Sequence, residues 1–373
     1  MRRRAVKALC AAGAALLLGG AVMLYVLGRP ARVRTDTLLP GADKMLRAVL
    51  YHGSLAANSH NAQGWQAELD PAARTLRVFL DPDRGLDVVD PARREQYISL
   101  GCYVEALAFA FDAYGYDTEI ACPGAQGEAA VIAYTRRTDA AVNRRKLEII
   151  RRRHTDKRSY RTAPIQPEAL ARLLRGTDGV YGYEIGTEAF SYLQSGTVEA
   201  VIRQSADAAY RRELGQWMRL SDREAAEKQD GITAEMLGLR GAIKALYYLT
   251  TSHRSAEGDA FAAQGVDTAR RQAEHCGAFF VVTGEDTASG WLDAGRRTQA
   301  FWFQCVENQV SVQPMSAPLE TPSGQDEVTR RLGLEEPVQM LLRAGYAEDY
   351  EENPAVRRDL WDYIAVRPAP EMP

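Results

Sequence analysis

The sequence predicts an α+β domain behind an N-terminal apolar helix. Three observations lead there. Two alternating runs, Trp65 to Leu69 and Thr75 to Leu80, flank a turn at Asp70-Pro71 and read as a β-hairpin. Helical spacing follows from Arg94 to Tyr114, where Leu100, Val104, Leu107 and Phe111 make one apolar stripe. Later strands and helices interleave without the regular spacing or phosphate loop of a doubly wound fold.

Along the chain, Arg2-Arg3-Arg4 and Lys7 precede an uncharged apolar run, Ala8 to Gly28. As a helix it would be about 32 Å long, enough to cross a hydrocarbon core. Small residues at Gly19-Gly20-Ala21 would suit signal cleavage, and the paired arginines would suit a twin-arginine export signal. The run continues past the cleavage point, which favours an uncleaved anchor, with the folded part on the outer or periplasmic side. Residues 1–34 are thus read as anchor or export signal, and Pro30 to Pro40 as a linker.

Ala42 to Leu55 reads as the first helix of the folded region. After the hairpin and the striped helix come strand-like runs at Thr118 to Ala121 and Ala129 to Tyr134, then a helix from Asn143 to Arg152. Gln166-Pro167-Glu168 opens another helix with proline at its first position. Gly215 to His253 is polar and helix-rich; Ala278 to Thr283 and Val338 to Ala344 read as strands, and Trp291 to Gln309 as a long helix. The formal charge of −3 over 373 residues gives no footprint for nucleic acid. Five cysteines without a CxxC pair exclude a disulfide framework and a cysteine zinc site, and Cys276 and Cys305 read as buried thiols.

Two segments carry chemistry. Asn58-Ser59-His60-Asn61-Ala62-Gln63-Gly64-Trp65 packs amides and hydroxyls that bury well only when hydrogen-bonded. It would cradle a polar, planar ligand with donors and acceptors, or simply form a polar turn. Arg151-Arg152-Arg153-His154-Thr155-Asp156-Lys157-Arg158-Ser159-Tyr160 gathers cations where a helix ends. It reads as a phosphate site or as a solvated basic face. Arg357-Arg358 is a further basic pair. No GxGxxG, Walker, HExxH or GxSxG motif occurs.

In order, these segments resemble the nitroreductase family, most closely its Acg-type branch of fused, monomeric members. The 58–65 segment is similar to the family's Pro-Ser-Ser-x-Asn-x-Gln-Pro-Trp. Asp90-Pro91-Ala92-Arg93-Arg94-Glu95 followed by Ile98-Ser99-Leu100-Gly101 resembles a mark of that branch. Gln313-Pro314-Met315-Ser316 resembles the loop whose backbone meets the flavin, and Leu342 to Tyr346 with Arg357-Arg358 resembles the closing strand and terminal arginines. Ala57, Asn58, Gly64 and Ala317 depart from the pattern, which bears on turnover more than on fold.

The resemblance implies a nitroreductase-like fold of two fused halves forming a pseudo-dimer: a shortened first half over 35–137 and a second over 138–373, with a lid around 215–253. It implies FMN as cofactor, NAD(P)H as hydride donor, and a nitro, quinone or related small-molecule acceptor, in a monomer. The flavin would carry the chemistry, so no protein catalytic residue and no metal is expected. FMN would be held by Asn58, Ser59, Asn61 and Gln63, by Arg153, His154, Thr155 and Arg158, by Pro314, Met315 and Ser316, and by Arg357 and Arg358. The alternative is a protein that binds and sequesters FMN with little or no turnover.

Overall fold

The computed structural model describes residues 18–123 and 128–368. They form the expected mixture of α and β around two antiparallel-rich sheets. The first contains β1 (Trp65–Asp70), β2 (Thr75–Leu80), β3 (Tyr116–Ala121) and β4 (Ala130–Arg136), closed at one edge by β9 (Ile364–Val366), in the order β3-β4-β2-β1-β9. The second contains β5 (Val180–Glu184), β6 (Ala278–Thr283), β7 (Ser311–Pro314) and β8 (Val338–Gly345), in the order β5-β6-β8-β7.

The predicted hairpin is present, with Asp70 opposite Thr75 and the Asp70 carboxylate accepting from Ala73 N. Alternation along β1 puts Trp65, Ala67 and Leu69 inward. In the second sheet β6 and β8 are buried at every residue, which is why Ala278 to Thr283 reads as a continuous apolar run. Arg343 is buried on β8 without a carboxylate contact among the described residues. Its guanidinium instead donates to Gln313 Oε1 and to the carbonyls of Gln272, His275, Asp156 and Arg158.

Between the sheets run two long helices, Arg94–Ala113 and Ala288–Glu307, which meet backbone to backbone. A methyl group added to Gly101 would lie 1.9 Å from the Leu292 carbonyl oxygen, and one added to Gly295 would lie 2.1 Å from that of Ile98. Cys102 Sγ donates to Gly295 O at 3.2 Å across the same crossing. The stripe Leu100, Val104, Leu107 and Phe111 is buried throughout. This crossing fixes the inner ends of both helices, which build much of the site below.

Several elements go beyond the sequence reading. β5 carries Gly182 at its centre, against the Phe280 ring, and shows no alternation to read. Helices Glu188–Ala206 and Asp259–Glu274 flank the second sheet. Pro314 ends an edge strand where a loop is expected, a place where a missing N–H costs nothing. β9 is three residues long and pairs in parallel with β1 from the far end of the chain.

At the N-terminus residues 18–27 are helical and largely exposed, and Gly241 N donates to Gly28 O at 3.1 Å. Among the described residues no helix is long and apolar enough to cross a membrane. The remainder of the expected span, residues 8–17, lies outside the described residues together with Arg2-Arg3-Arg4 and Lys7. The expected lid contains helices Asp222–Lys228 and Gly241–Thr250 around a small core of Met218, Leu220 and Ile232.

Candidate functional site

The segment 58–64 is strained and heavily tied. His60, Asn61 and Gln63 take φ of 52°, 54° and 52°, a left-handed conformation that non-glycine residues hold only when their surroundings enforce it. Ser59 N donates to Ser99 Oγ at 3.1 Å and Ser59 Oγ to Glu95 Oε2 at 2.8 Å. Asn58 Oδ1 accepts from Gln63 N at 2.9 Å. Asn61 Nδ2 donates to Gly231 O and Val356 O, and its Oδ1 accepts from Arg357 Nη1 at 2.8 Å. Gln63 Nε2 donates to Gln229 O at 2.9 Å and its Oε1 accepts from Arg358 N at 2.9 Å. The buried amides are therefore largely satisfied within the protein, stitching lid and C-terminal segment to the first sheet.

Beside this segment lies a cavity of about 380 Å³, within the size range of small-molecule and cofactor sites. One wall is Ala57 to Asn61 with Glu95, Ser99 and Cys102; another is Thr155, Lys157 and Gln313 to Ala317; Thr298 and Trp302 also line it. The lid contributes Ile232 and Met236, and Leu214 lies just ahead of it. Of the residues expected from sequence, Asn58, Ser59, Asn61, Thr155, Pro314, Met315 and Ser316 meet here. Two stretches about a hundred residues apart thus share one cavity. Met315 N is already bonded to Leu341 O at 2.8 Å, so that N–H serves the sheet.

The arginines divide into two groups. Arg153 and Arg357 line a smaller space of about 20 Å³ that shares Ala57, Asn58, Asn61, Thr155 and Met236 with the large cavity. Both side chains are buried and neither touches a carboxylate among the described residues. Arg153 donates twice to Leu55 O, at 3.2 and 2.9 Å, and its guanidinium lies 5.0 Å from the Trp302 ring centre. Arg357 donates to the carbonyls of Ser54 and Ala56 as well as to Asn61. Burial holds Arg153 down to about 10; burial and then the Arg153 charge hold Arg357 down to about 9. Two buried cations beside a cavity, each paired only with neutral acceptors, give that corner a positive charge that would favour an anion.

The other expected cations lie away from both cavities. Arg158 Nε and Nη2 clamp Asp156 at 2.9 and 2.8 Å, and its Nη1 meets Asp349 at 2.6 Å and Glu351 at 3.2 Å. A guanidinium with three carboxylates has no donors left over for a phosphate. Arg358 pairs with Asp362 at 2.6 Å and with Asp81 at 3.5 Å. His154 turns Nδ1 to Arg152 O at 2.8 Å, and burial lowers its pKa. Gln63, as above, is committed to the lid and to Arg358.

Three titratable groups in the cavity wall are given no role by the sequence reading. Lys157 has no carboxylate partner among the described residues, and burial lowers it to about 8. His60 is held neutral, lowered to about 4 by burial and then by Lys157. Glu320, which accepts from Gln204 Nε2 at 2.6 Å, is pushed up to about 8 by burial and then by the charge of Glu95. His60 lies inside the amide-rich segment and Lys157 inside the basic run, whereas nothing in the sequence marks Glu320. Among the described residues no His/Cys/Asp/Glu group could hold a metal.

Glu320 gives a pH prediction. The folded chain keeps a proton that the unfolded chain releases near its ordinary value of 4.5. The native state then binds more protons, so stability falls as pH rises from about 4.5 to about 8. Glu320→Gln is expected to flatten this slope, by at most about 5 kcal/mol over the window. Urea midpoints at about pH 5 and about pH 8 would measure it; identical slopes in both proteins would mean that Glu320 is ionised.

No protein-family model matches the sequence, and no curated protein is significantly similar to it. Solved structures similar to part of the chain include the FMN-dependent nitroreductase NfnB from Mycobacterium smegmatis in complex with NADPH. It is 14% identical over 54% of this chain and 86% of its own, with a TM-score of 0.35. A mutant of the FMN and NADPH-dependent nitroreductase NfnB from Sphigopyxis sp. strain HMH is 16% identical over 54% of this chain and 87% of its own, with a TM-score of 0.34. An overlap of this extent assigns neither a family nor an activity to the chain.

Proposed function

We propose that this protein binds FMN and works as an NAD(P)H-dependent oxidoreductase of nitroreductase type. The observation that carries the reading is the pair Arg153 and Arg357, buried without a carboxylate partner among the described residues, in a small space that shares five lining residues with the cavity of about 380 Å³. A ligand joining a planar, polar body to a phosphate would set its body in the larger cavity and turn its phosphate toward the two arginines. Arg153 and Arg357 would hold the phosphate; Asn58, Ser59, Thr155 and the stretch Pro314 to Ser316 would line the body. Bound flavin would supply hydride chemistry, taking two electrons from NAD(P)H and giving them to a nitro, quinone or related acceptor. Lys157, a buried cation in the wall, would stabilise negative charge on whatever fills the cavity.

The two sheets, each with its own long helix at the Gly101–Gly295 crossing, support division into a shortened half over 35–137 and a second over 138–373 whose last strand, β9, crosses over to edge the first sheet. Both parts of the site belong to one chain, which supports a monomer. The apolar run from Ala8 supports an anchor that keeps the folded part on the outer side of a membrane.

Purified protein is expected to be yellow, or to take up added FMN with a flavin absorbance spectrum. Colourless protein that fails to take up FMN would sink the reading. Anaerobic addition of NADPH then separates turnover from storage, because an oxidoreductase bleaches its flavin promptly. One observation favours storage as the second reading. The lid is latched to the cavity wall through Gln63 to Gln229, Asn61 to Gly231 and Gly231 N to Asn61 O, which would shut out a second ligand.

A further inference from the structure

We propose that the outer face of helix Gly241–Thr250 rests on a lipid bilayer, beside the N-terminal apolar segment. This goes beyond the flavin reading and does not depend on it. Ile243, Leu246 and Leu249 are 67%, 57% and 49% exposed and fall three residues apart, on one side of the helix. The helix has no acidic residue, and its only charge, Lys244, is turned inward to Glu235 at 2.6 Å and Asp222 at 2.7 Å. A helix facing water would carry polar residues on that side; this one offers mostly carbon, with Thr250 the one hydroxyl there, turned back to Leu246 O.

What covers the face follows from its neighbour. Gly28 O accepts from Gly241 N at 3.1 Å, and Lys244 Nζ donates to Arg29 O at 2.6 Å. The end of the N-terminal segment is therefore pinned to the start of this helix. Residues 18–27 display Leu18, Val22, Met23, Tyr25 and Val26 to solvent, and the sequence before them stays uncharged back to Ala8. That run has the length of a hydrocarbon core. Arg29, Arg32, Arg34 and Arg254 are exposed nearby in sequence, which suits anionic headgroups. Apolar face, adjoining apolar segment and cations together describe an interfacial helix. The inner side of the same helix sends Tyr247 to the small core with Ile232 and Met236, which roof the cavity. The lid would thus lie between the cavity and the bilayer.

The full chain with Leu246→Cys tests this, with Cys10 and Cys122 replaced by serine; Cys102, Cys276 and Cys305 are buried. The new thiol is labelled with an environment-sensitive fluorophore, and the protein is mixed with phosphatidylcholine–phosphatidylglycerol vesicles. A blue shift is expected at position 246, with quenching by lipids brominated on their acyl chains. A label at Arg175→Cys, in an exposed turn of the second sheet's side, should show neither. Adding Ile243→Glu and Leu249→Glu should abolish the shift at 246. A label that stays water-like while the protein floats with the vesicles would overturn the proposal, since the N-terminal segment alone would then hold the membrane. A blue shift before any lipid is added, from protein that sediments as a dimer, would overturn it in favour of a second copy of the chain.

Discussion

Arg153→Gln is expected to weaken FMN binding by on the order of 10- to 100-fold and to leave riboflavin binding unchanged. A charge-assisted hydrogen bond to phosphate contributes roughly 1.5–3 kcal/mol, which converts to that range. Riboflavin lacks the phosphate and should not register the loss. Arg158→Ala should leave both ligands alone, because its guanidinium is shared among Asp156, Asp349 and Glu351. Titrations followed by flavin fluorescence would compare the three proteins. Equal losses of FMN and riboflavin in Arg153→Gln would mean that the side chain supports the fold through Leu55 O. A loss confined to Arg158→Ala would move the phosphate to the other side of Asp156.

Gly101→Ala should cost more than almost any other single methyl group in the chain. The added carbon would sit 1.9 Å from the Leu292 carbonyl oxygen and 2.9 Å from Arg296 N, both backbone atoms that no rotamer change can move aside. Separating the two central helices sacrifices packing along their whole length, so about 3 kcal/mol or more is expected. Gly196→Ala is the control. It lies within helix Glu188–Ala206, where an added carbon meets nothing within 4 Å. Relief of chain entropy should make that change stabilising by about 0.4–1 kcal/mol. Denaturant midpoints would compare them, and equal effects would disprove the close crossing. Flavin affinity should fall with Gly101→Ala as well, since these helices carry Glu95, Ser99, Cys102, Thr298 and Trp302 into the cavity wall.

Much of the first sheet was legible because its signals are local. The hairpin alternates about a marked turn, and the stripe from Leu100 to Phe111 repeats at helical period. The site was legible only in part. Asn58, Ser59 and Thr155 do line the cavity, yet the amides of Asn61 and Gln63 serve mainly as ties to the lid and to the C-terminal arginines. Arg153 and Arg158 look alike in the basic run. They differ in which carboxylates approach them, and Asp349 and Glu351 come from almost two hundred residues away. Lys157 and Glu320 gave little sign of their roles, because burial by distant elements is what perturbs them.

By itself the sequence determined the α+β character, the approximate limits of the first sheet's strands and of several helices, the apolar N-terminal run and the segments from which a site could be built. Those properties depend on neighbours within a turn or two, where side-chain period, caps and prolines act. Tertiary structure alone decided that β9 completes the first sheet and that Gly101 meets Gly295. It likewise decided which cations remain without a counter-ion. Each of these turns on contacts between residues far apart in the chain. There, a few ångströms of approach decide whether a charge is paired, buried or left to wait for a ligand.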